Sequence, residues 1–185
     1  MTDLDSDFYL AFENRFRGDA NEVARKFEVY APLLQAIESD AASPSAVDLG
    51  CGRGEWLIHL RKRGWSVSGI DQSEVMVSTC ATKDLSVKQA DLLAHLNTLP
   101  DSSVTLLSAF HVIEHLPFSD LLQLCREAQR VVTDSGLILF ETPNPENLRV
   151  GTDLFYLDPT HLRPLSPELM EFVMQWVGAT WCQAV

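Results

Sequence analysis

Residues 47–54 read VDLGCGRG, an apolar run that leads directly into a glycine-rich turn. The glycines at positions 50, 52 and 54 permit a tight turn between a strand and a helix, and they let a ligand approach the backbone closely. A lone turn of this kind does not identify its ligand, because dinucleotide-binding enzymes also use one, with G-x-G-x-x-G spacing. The spacing here is G-C-G-R-G, so the stretch predicts a strand, a ligand-binding turn and a helix, in that order.

Segments on both sides of this turn alternate between strand and helix periodicity. Short apolar runs predict strands at 46–49, 65–70, 85–89, 104–110 and 137–141. Helical spacing of apolar residues predicts helices at 21–38, 55–63, 73–82, 118–132 and 167–176. Strands that alternate with helices form parallel βαβ units with right-handed crossovers. The predicted fold class is therefore α/β, with a Rossmann-like, doubly wound and mainly parallel sheet.

The chain is predicted to form one main domain. Residues 45–185 are expected to form this domain, and residues 1–44 a helical segment that packs on it. The segment from Thr142 to Pro167 contains five of the nine prolines and has no clear periodicity. We interpret residues 142–167 as an ordered loop or lid over the site, since a loop of that length in a compact domain is usually functional. The alternative is a loosely packed connection.

The composition of the chain indicates which partners and which cellular compartment to expect. The formal net charge of −12 repels phosphate backbones and anionic membrane surfaces, so a nucleic-acid partner is disfavoured. The four cysteines form no CxxC pair, which predicts a reduced compartment without disulfides. The start lacks the pattern of a signal peptide, and no apolar run approaches the roughly 20 residues that span a bilayer. We therefore predict a cytoplasmic protein with no membrane span.

Polar side chains collect at the carboxyl ends of the predicted strands. Ligands of parallel sheets bind beyond those ends, so residues there are the candidates for a site. An acid after the second strand can accept hydrogen bonds from both ribose hydroxyls, and an acid after the third strand can meet an exocyclic amine. The residues at or after the five ends are Asp48, Asp71, Asp91, Phe110, His111 and Glu141.

Together with these acids, the glycine turn makes residues 47–141 resemble the class I S-adenosylmethionine-dependent methyltransferases. The resemblance implies that the glycines border the methionine part of the cofactor, that Asp71 binds its ribose and that Asp91 holds the adenine amine. It assigns cofactor binding to Asp48, Gly50, Cys51, Gly52, Gly54, Asp71, Gln72, Ser73, Asp91, Leu92, Phe110 and His111. The competing prediction, a nicotinamide-dependent oxidoreductase, requires a glycine spacing that the chain lacks.

Residues 111–115 read HVIEH and predict a second set of functional side chains after the fourth strand. On a helix, H-x-x-E-H would indicate a zinc peptidase, but the apolar strand before it and Leu116-Pro117 after it argue against a regular helix. The segment resembles the E-x-x-E-H of ubiquinone-pathway O-methyltransferases and small-RNA 2′-O-methyltransferases, which use a divalent ion. The RNA enzymes add a later histidine after a T-P-N segment, which residues 142–144 match. The resemblance implies a metal site formed by His111, Glu114, His115 and His161.

This candidate metal site departs from the family pattern at His111, which replaces a glutamate. Three imidazoles and one carboxylate favour zinc, iron, manganese or nickel over magnesium. Such an ion would lower the pKa of an acceptor hydroxyl, while a histidine outside the coordination shell accepts the proton. The alternative is that the histidines line the pocket without a metal, and that His111 or His115 is the catalytic base.

Three further segments, 8–18, 141–148 and 155–161, resemble methyltransferase domains of polysaccharide and lipopolysaccharide assembly proteins. They imply a sugar hydroxyl as the methyl acceptor, with Phe155 and Tyr156 either stacked on the sugar or packed in the core. Arg15 and Arg17 could reach a carboxylate or phosphate of the acceptor, or they lie on the surface. The alternative functions are methylation of a phenol or quinone-like small molecule, a module that binds cofactor without turnover, and a scaffold without activity.

The C-terminal end departs from the class I pattern, which usually finishes with two more strands, the last in an antiparallel hairpin. Only nine residues follow Trp176, enough for about one strand of typical length. We therefore predict C-terminal strands that are shortened or missing, or a chain that is a fragment of a longer protein. An exposed fifth strand would invite pairing with another chain, so we expect a homodimer mate or further polypeptide to cover that edge.

Overall fold

The computed structural model of the chain describes residues 12, 15–16, 23, 25–40 and 43–184. Its centre is a five-stranded sheet in which each strand is parallel to its neighbours. The strands are β1 (Ser45–Leu49), β2 (Ser66–Asp71), β3 (Val87–Gln89), β4 (Val104–Phe110) and β5 (Val132–Glu141). Their order is β3-β2-β1-β4-β5, so the direction of winding reverses beside β1, as in doubly wound folds. The predicted α/β fold class is confirmed.

Helices connect the strands and cover the sheet. The α-helices are α1 (Ala31–Glu38), α2 (Glu55–Lys62), α3 (Glu74–Ala81), α4 (Leu92–Leu96), α5 (Phe118–Val131), α6 (Leu148–Thr152) and α7 (Pro167–Trp176). Shorter 3-10 turns span Phe27–Tyr30, Ile113–His115 and Leu154–Leu157. Ser73, Asp91 and Ser166 cap α3, α4 and α7, because each side chain accepts a hydrogen bond from a backbone N–H of the first turn.

Two hydrophobic clusters occupy the two faces of the sheet. Because side chains alternate along a strand, Leu106 and Leu107 of β4 belong to different clusters. Leu107 packs in the cluster that contains Leu121 and Leu124 of α5, and Leu106 packs in the one that contains Trp56 of α2. Burying one leucine side chain contributes about 1.5–3 kcal/mol. β4 is therefore held by hydrophobic packing on both of its faces, and its carboxyl end carries the candidate site.

The described part of the N-terminal segment packs on the sheet. Phe27, Tyr30 and Leu34 are buried in the cluster around α2. The predicted helix over 21–38 is divided at Tyr30 into a 3-10 turn and α1, and Pro32 lies in the first turn of α1, where no helical N–H is needed. The motif at 8–18 and the start of the predicted helix lie mainly outside the described residues.

Several boundaries differ from the prediction. β5 begins at Val132 rather than Leu137, because it follows α5 without a turn. β3 is shorter than predicted, since Leu85 packs into a hydrophobic cluster before the strand begins. α4 was not predicted at all. Its five residues are too few to show a helical period in the sequence.

Helical turns occupy part of the segment from Thr142 to Pro167, which was predicted as an ordered loop. α6 and the 3-10 turn at Leu154–Leu157 lie in its middle, and Asn147 caps α6. The backbone N–H of Leu162 donates to the carbonyl of Glu114 at 2.9 Å. This bond ties the segment to residues 111–115, on the side of the sheet where a lid was expected.

The pairing of β4 with β5 sets the position of Glu141. Val104 pairs with Val132, but Leu106 pairs with Leu137, so β5 contains extra residues at this irregularity. Beyond it the register is regular and places Phe110 opposite Glu141. The ends of both strands therefore meet at the candidate site.

The described sheet has two edges, β3 and β5. No strand follows β5 within the described residues, which reach residue 184. The expectation that another chain or further polypeptide covers β5 stays a prediction. Among the described residues, no helix has both the length and the apolar character needed to span a membrane.

Candidate functional site

The glycine-rich turn between β1 and α2 adopts backbone angles that favour glycine. Gly50 and Gly54 have φ values of +67° and +78°, in the left-handed region that other residues rarely adopt. Neighbouring side chains also fill the space beside both residues. A Cβ at Gly50 would lie 2.6 Å from Cγ2 of Val112, and a Cβ at Gly54 would lie 2.3 Å from Cδ1 of Leu85. The turn is therefore fixed by packing as well as by backbone conformation.

Substitution Gly54→Ala is expected to lower the free energy of unfolding by about 2–4 kcal/mol. Left-handed backbone strain contributes about 1–2 kcal/mol, and overpacking against Leu85 contributes about 1–3 kcal/mol. Gly64→Ala is the matched control, since Gly64 has a φ of +89° but an added Cβ there would meet nothing within 4 Å. Urea unfolding should show the smaller loss for the control. Equal losses for the two variants would contradict the packing argument.

Asp71, the last residue of β2, connects the glycine turn to α3. Its Oδ2 accepts a hydrogen bond from the backbone N–H of Gly52 at 2.9 Å. Its Oδ1 accepts from the backbone N–H of Ser73 at 2.8 Å. Each carboxylate oxygen keeps a second lone pair, so the side chain can still accept hydrogen bonds from ligand hydroxyls. Asp71 therefore shapes the turn and remains a candidate ligand residue.

Asp91 lies beyond β3, near the strand end that carries Asp71. Its Oδ1 accepts from the backbone N–H of Ala94 at 2.9 Å, and its Oδ2 accepts from Nε2 of Gln72 at 3.4 Å. Leu92, which was predicted to hold a ligand amine together with Asp91, is buried in the hydrophobic core. The structure therefore brings Asp91 and Gln72 together, while the side chain of Leu92 stabilises the core.

Asp48 and Cys51 are buried beneath the turn. Oγ of Ser108 donates to Oδ1 of Asp48 at 2.7 Å, and Nε1 of Trp56 donates to Ser108 Oγ at 3.0 Å. The side chain of Cys51 packs against Gly69, where an added Cβ would lie 2.9 Å from its Sγ. Both predicted cofactor residues therefore support the turn from below.

Aromatic side chains form a wall beside the end of β4. The ring of Phe110 lies 5.5 Å from that of Phe27, 5.8 Å from that of Tyr30 and 5.1 Å from that of Trp56, measured between centroids. The hydroxyl of Tyr30 donates to Oε2 of Glu141, the last residue of β5. Desolvation and this carboxylate both raise the pKa of Tyr30, so the phenol stays protonated and remains a donor. The bond joins the N-terminal segment to the site.

Substitution Tyr30→Phe is expected to lower the free energy of unfolding by about 1.5 kcal/mol, the lower end of the range for a hydrogen bond to a charged group, because the Glu141 side chain is partly exposed. The ring contacts with Trp56 and Phe110 are kept, so the loss reports on the hydroxyl. The measurement is urea unfolding, with Tyr156→Phe as the control because that side chain is 64% exposed. Unchanged stability of Tyr30→Phe would show that the bond to Glu141 contributes nothing.

His111 lies between two carboxylates directly after β4. Its φ of +56° is uncommon for a residue other than glycine, and its backbone N–H donates to the carbonyl of Glu141 at 2.8 Å. Nδ1 lies 3.4 Å from Oε1 of Glu114, and Nε2 lies 3.3 Å from Oε1 of Glu141. Desolvation lowers the pKa of His111, but the two carboxylates outweigh it and raise the pKa to about 9. Because the side chain is 59% exposed, solvent screening weakens this effect.

Glu114 is fully buried, at 0% exposure, in the 3-10 turn after His111. Neither carboxylate oxygen has a hydrogen-bond partner among the described residues. The imidazoles of His111 and His161 approach Oε1 only to 3.4 and 3.8 Å, longer than the roughly 2.7–3.2 Å of a good hydrogen bond. A buried carboxylate without close partners is unfavourable, so this position is suited to a bound cation.

His115 and His161 complete a cluster with Glu114. One ligand atom from each of the three residues lies within 4.8 Å of the other two, the spacing of a possible metal site. Nδ1 of His115 lies 2.9 Å from Oγ1 of Thr160, and Nδ1 of His161 lies 2.6 Å from the carbonyl of Phe155. Desolvation lowers the pKa of His115, so this imidazole is mainly neutral near pH 7. Neutral imidazoles beside a carboxylate can bind a divalent transition metal.

Comparisons with known proteins identify the family. A family model described as a methyltransferase domain matches residues 21–180. The chain belongs to this family. A probable S-adenosylmethionine-dependent methyltransferase of Mycobacterium tuberculosis is 31% identical over 144 residues, 77% of this chain and 51% of the relative. The methyltransferase domain described here thus spans about half the length of that relative.

Three further proteins extend the comparison. A demethylmenaquinone methyltransferase of Bacillus licheniformis is 27% identical over 147 residues, 75% of this chain and 61% of that protein. The crystal structure of a SAM-dependent methyltransferase from Archaeoglobus fulgidus has a TM-score of 0.81 at 31% identity, with coverage of 92% of this chain and 74% of that one. A protein of Pyrococcus horikoshii, at 18% identity and a TM-score of 0.69, shares the fold.

The methyltransferase domain brings most of the predicted site residues to one edge of its sheet. Direct contacts join Gly52, Asp71 and Ser73 on one side, and His111 and Glu114 on the other. Arg15 instead lies over the ring of Phe16, and Arg17 lies outside the described residues. Sequence reasoning missed the contacts of Tyr30, Ser108, Asp158 and Thr160.

Proposed function

We propose that the chain is an S-adenosylmethionine-dependent O-methyltransferase that acts on a sugar hydroxyl with the help of a divalent metal ion. The observation that carries the proposal is the contact between the glycine turn and residues 111–115. The Cβ that Gly50 lacks would lie 2.6 Å from Cγ2 of Val112, so the turn and the histidine–carboxylate cluster are immediate neighbours. A methyl donor at the turn and an acceptor at the cluster would meet there.

The glycine turn and the strand-end acids fit the methyl donor. The left-handed glycine backbone of the turn suits the methionine part, and the free lone pairs of Asp71 suit the ribose hydroxyls. Asp91, held beside Gln72, suits the adenine amine. S-adenosylmethionine supplies a methyl group on a positively charged sulfur. The chain's own contribution is to hold the donor and the acceptor hydroxyl in line and to promote loss of the hydroxyl proton.

The cluster around the buried Glu114 fits a divalent metal ion. Glu114, His115 and His161 would hold it, since their ligand atoms lie within 4.8 Å of one another and the oxygens of Glu114 have no hydrogen-bond partner among the described residues. Two imidazoles and one carboxylate are a ligand set that zinc and iron accept. Such an ion would lower the pKa of an acceptor hydroxyl, which then releases its proton to water. His111, predicted as a fourth ligand, has both ring nitrogens directed at carboxylates instead.

A second arrangement uses His115 as a general base without a metal. Its imidazole is mainly neutral near pH 7, because desolvation lowers its pKa, and can therefore accept the hydroxyl proton. His111 suits this role less, since its two carboxylate neighbours raise its pKa to about 9 and favour the protonated ring. The two arrangements make opposite predictions for activity after metal removal.

The sugar acceptor rests on the sequence resemblance and on the position of one aromatic side chain. Tyr156 is 64% exposed and directly follows Phe155, whose carbonyl contacts His161, and it can stack on a sugar face. Phe155 is 1% exposed and packs against His161, which leaves Tyr156 as the aromatic residue for this role. A phenol or quinone-like acceptor is the second candidate, favoured by the similarity to the Bacillus licheniformis demethylmenaquinone methyltransferase.

The first test of the function is transfer of a labelled methyl group from S-adenosylmethionine to a panel of acceptors. Nucleotide sugars and oligosaccharides form one arm, and quinol or phenol compounds form the other. We expect product in the sugar arm, and His115→Gln should remove it while His95→Gln, a histidine of α4 outside the cluster, should not. Product only in the quinol arm would favour the second candidate. Cofactor binding with no product in either arm would indicate a module without turnover.

The second test is removal of metal. Dialysis of the protein against a chelator should abolish transfer, and addition of zinc, iron or manganese should restore it. Activity that persists in metal-free protein and still requires His115 would support the general-base arrangement instead.

We also propose a cytoplasmic location and a covered β5 edge. The four cysteines are free, and three of them are buried, which is usual in a reducing compartment. The net charge of −12 disfavours a nucleic-acid acceptor.

β5 has a strand partner on one side within the described sheet, so a homodimer mate or further polypeptide could pair with the other side. Light scattering of the purified chain tests the homodimer.

A further inference from the structure

Asp158 and Thr160 form a hydrogen-bonded unit behind the ring of His115. Oγ1 of Thr160 lies 2.6 Å from Oδ1 of Asp158, and the backbone N–H of Thr160 donates to the same oxygen at 2.8 Å. An ionised carboxylate can only accept, so the threonine hydroxyl donates its hydrogen to Asp158. The oxygen of that hydroxyl lies 2.9 Å from Nδ1 of His115 and can then only accept from it. Nδ1 of His115 therefore carries the hydrogen, and Nε2 has a free lone pair.

His161 is fixed in the same tautomer by a different group. Its Nδ1 lies 2.6 Å from the carbonyl oxygen of Phe155, which can only accept, so Nδ1 is the donor. Its ring packs on those of Phe155 and His115, at centroid distances of 4.6 and 4.7 Å, and the side chain is 10% exposed. The ring is therefore held with Nε2 3.8 Å from Oε1 of Glu114 and 3.9 Å from Oδ2 of Asp158.

These outer contacts determine what the cluster presents to a ligand. One ligand nitrogen from each histidine lies within 4.8 Å of an oxygen of Glu114, which has no hydrogen-bond partner among the described residues. Because Nδ1 of each ring is already bonded to an outer group, Nε2 is the nitrogen left to bind a ligand. Outer hydrogen bonds that set the tautomer and orientation of a histidine are the usual support of a metal ligand. Without a cation, an unprotonated Nε2 of His161 would lie against the carboxylates of Glu114 and Asp158, an unfavourable contact.

We propose that Thr160, with Asp158 and the Phe155 carbonyl, is a positioning shell that holds His115 and His161 in the Nδ1–H tautomer and so prepares a three-residue site for a divalent transition metal. This rests on the metal site of the proposed function and assigns roles to residues that do not contact the ion. The class of ligand is a cation of the zinc, iron or cobalt type, which accepts imidazole nitrogen together with carboxylate oxygen.

The test is titration of the chelator-treated full chain with cobalt(II), followed by its visible absorption. The natural chain should bind one equivalent. Thr160→Val, which keeps the size of the side chain but removes the hydroxyl, should bind cobalt about 10–100-fold more weakly, the range for losing an outer-shell partner. Thr160→Ser keeps the hydroxyl and should restore the affinity. Thr98→Val is the matched control, because the Thr98 hydroxyl bonds to the carbonyl of His95 on the surface and should not affect cobalt.

Asp158→Ala provides a second variant, which removes the acceptor of the Thr160 hydroxyl hydrogen. The hydroxyl would then be free to donate to Nδ1 of His115 and move the ring hydrogen to Nε2. Cobalt binding should weaken, and the loss should not add to that of Thr160→Val, since both changes act through one hydrogen-bond chain.

Histidine nitrogen NMR of the metal-free chain gives a readout that a purely structural role would not change. His115 and His161 should both show hydrogen on Nδ1, and Thr160→Val should alter the signal of His115 alone. Cobalt binding by Thr160→Val as tight as that of the natural chain overturns the proposal, as does a natural chain that binds no cobalt. Cobalt binding that follows these predictions without methyl transfer to any acceptor would uphold the shell and refute the proposed function.

Discussion

Substitution Asp71→Ala is expected to weaken binding of S-adenosylhomocysteine, the product form of the cofactor, by at least about 100-fold, or close to 3 kcal/mol. The alanine removes the proposed contacts with the ribose hydroxyls. It also removes the acceptor of the backbone N–H groups of Gly52 and Ser73, which at present hold the turn in its binding shape. Each hydrogen bond to a charged group contributes about 1.5–3 kcal/mol. Losing two or more such bonds therefore accounts for the predicted loss of binding free energy, even if water replaces part of them.

Calorimetric titration measures this effect, with Asp134→Ala as the control. Asp134 is an exposed acid near the start of β5, at the end of the strand away from the site, and its removal changes the net charge equally. Asp71→Asn separates the two roles of the side chain, because the amide retains one acceptor oxygen but loses the charge. Binding by Asp71→Ala within about threefold of the natural chain, a difference of roughly 0.7 kcal/mol, would contradict the assignment of Asp71 to the cofactor.

Substitution Glu114→Gln should abolish cobalt binding and metal-dependent transfer, yet raise the stability of the metal-free protein by about 1 kcal/mol. In metal-free protein the buried carboxylate has no hydrogen-bond partner among the described residues, and an uncompensated buried charge is destabilising. The neutral amide removes the charge at nearly constant volume. The gain is limited because the substitution also removes the attraction between Glu114 and His111.

Thermal unfolding of chelator-treated protein tests the stability change, and Glu127→Gln is its comparison. Glu127 forms a salt bridge with Arg130 on the surface of α5, at 2.5 Å, so its neutral form should be slightly less stable. A fall in stability for Glu114→Gln would mean that nearby imidazoles already balance the buried charge. The argument for a cation at this position would then fail.

The sheet could be predicted because its strands are encoded locally. β1 and β4 are largely apolar, β2 combines two serines with apolar residues, and each ends at or just before a glycine or a polar residue, so no tertiary information is needed to recognise them. The start of β5 could not be predicted in this way, since Thr133, Asp134 and Ser135 are polar and pair with β4 only through the irregular register. α4 and α6 are each about one turn long, which is too short for periodicity to show.

Residues of the candidate site could be predicted where a polar or titratable side chain lies at or directly after the end of a predicted strand. Asp71 and His111 were found by that rule, and the structure places both at the same edge of the sheet. The partners that define their geometry were not predictable. Tyr30 and Glu141 are 111 residues apart in the chain, and Thr160 and His115 are 45 apart. Such contacts depend on the register of β5 and on the course of residues 142–166, which only the folded chain determines.

The irregular pairing between β4 and β5 has a practical consequence for protein engineering. Asp134 and Ser135 are exposed there, between the paired positions Val132 and Leu137. β5 pairs regularly with β4 from Leu137 onward. Added residues near Asp134 would therefore leave Glu141, at the other end of the strand, in place. A short epitope or a fluorophore-binding peptide inserted at this place would extend into solvent, and such a reporter could be attached without displacing Glu141 at the other end of β5.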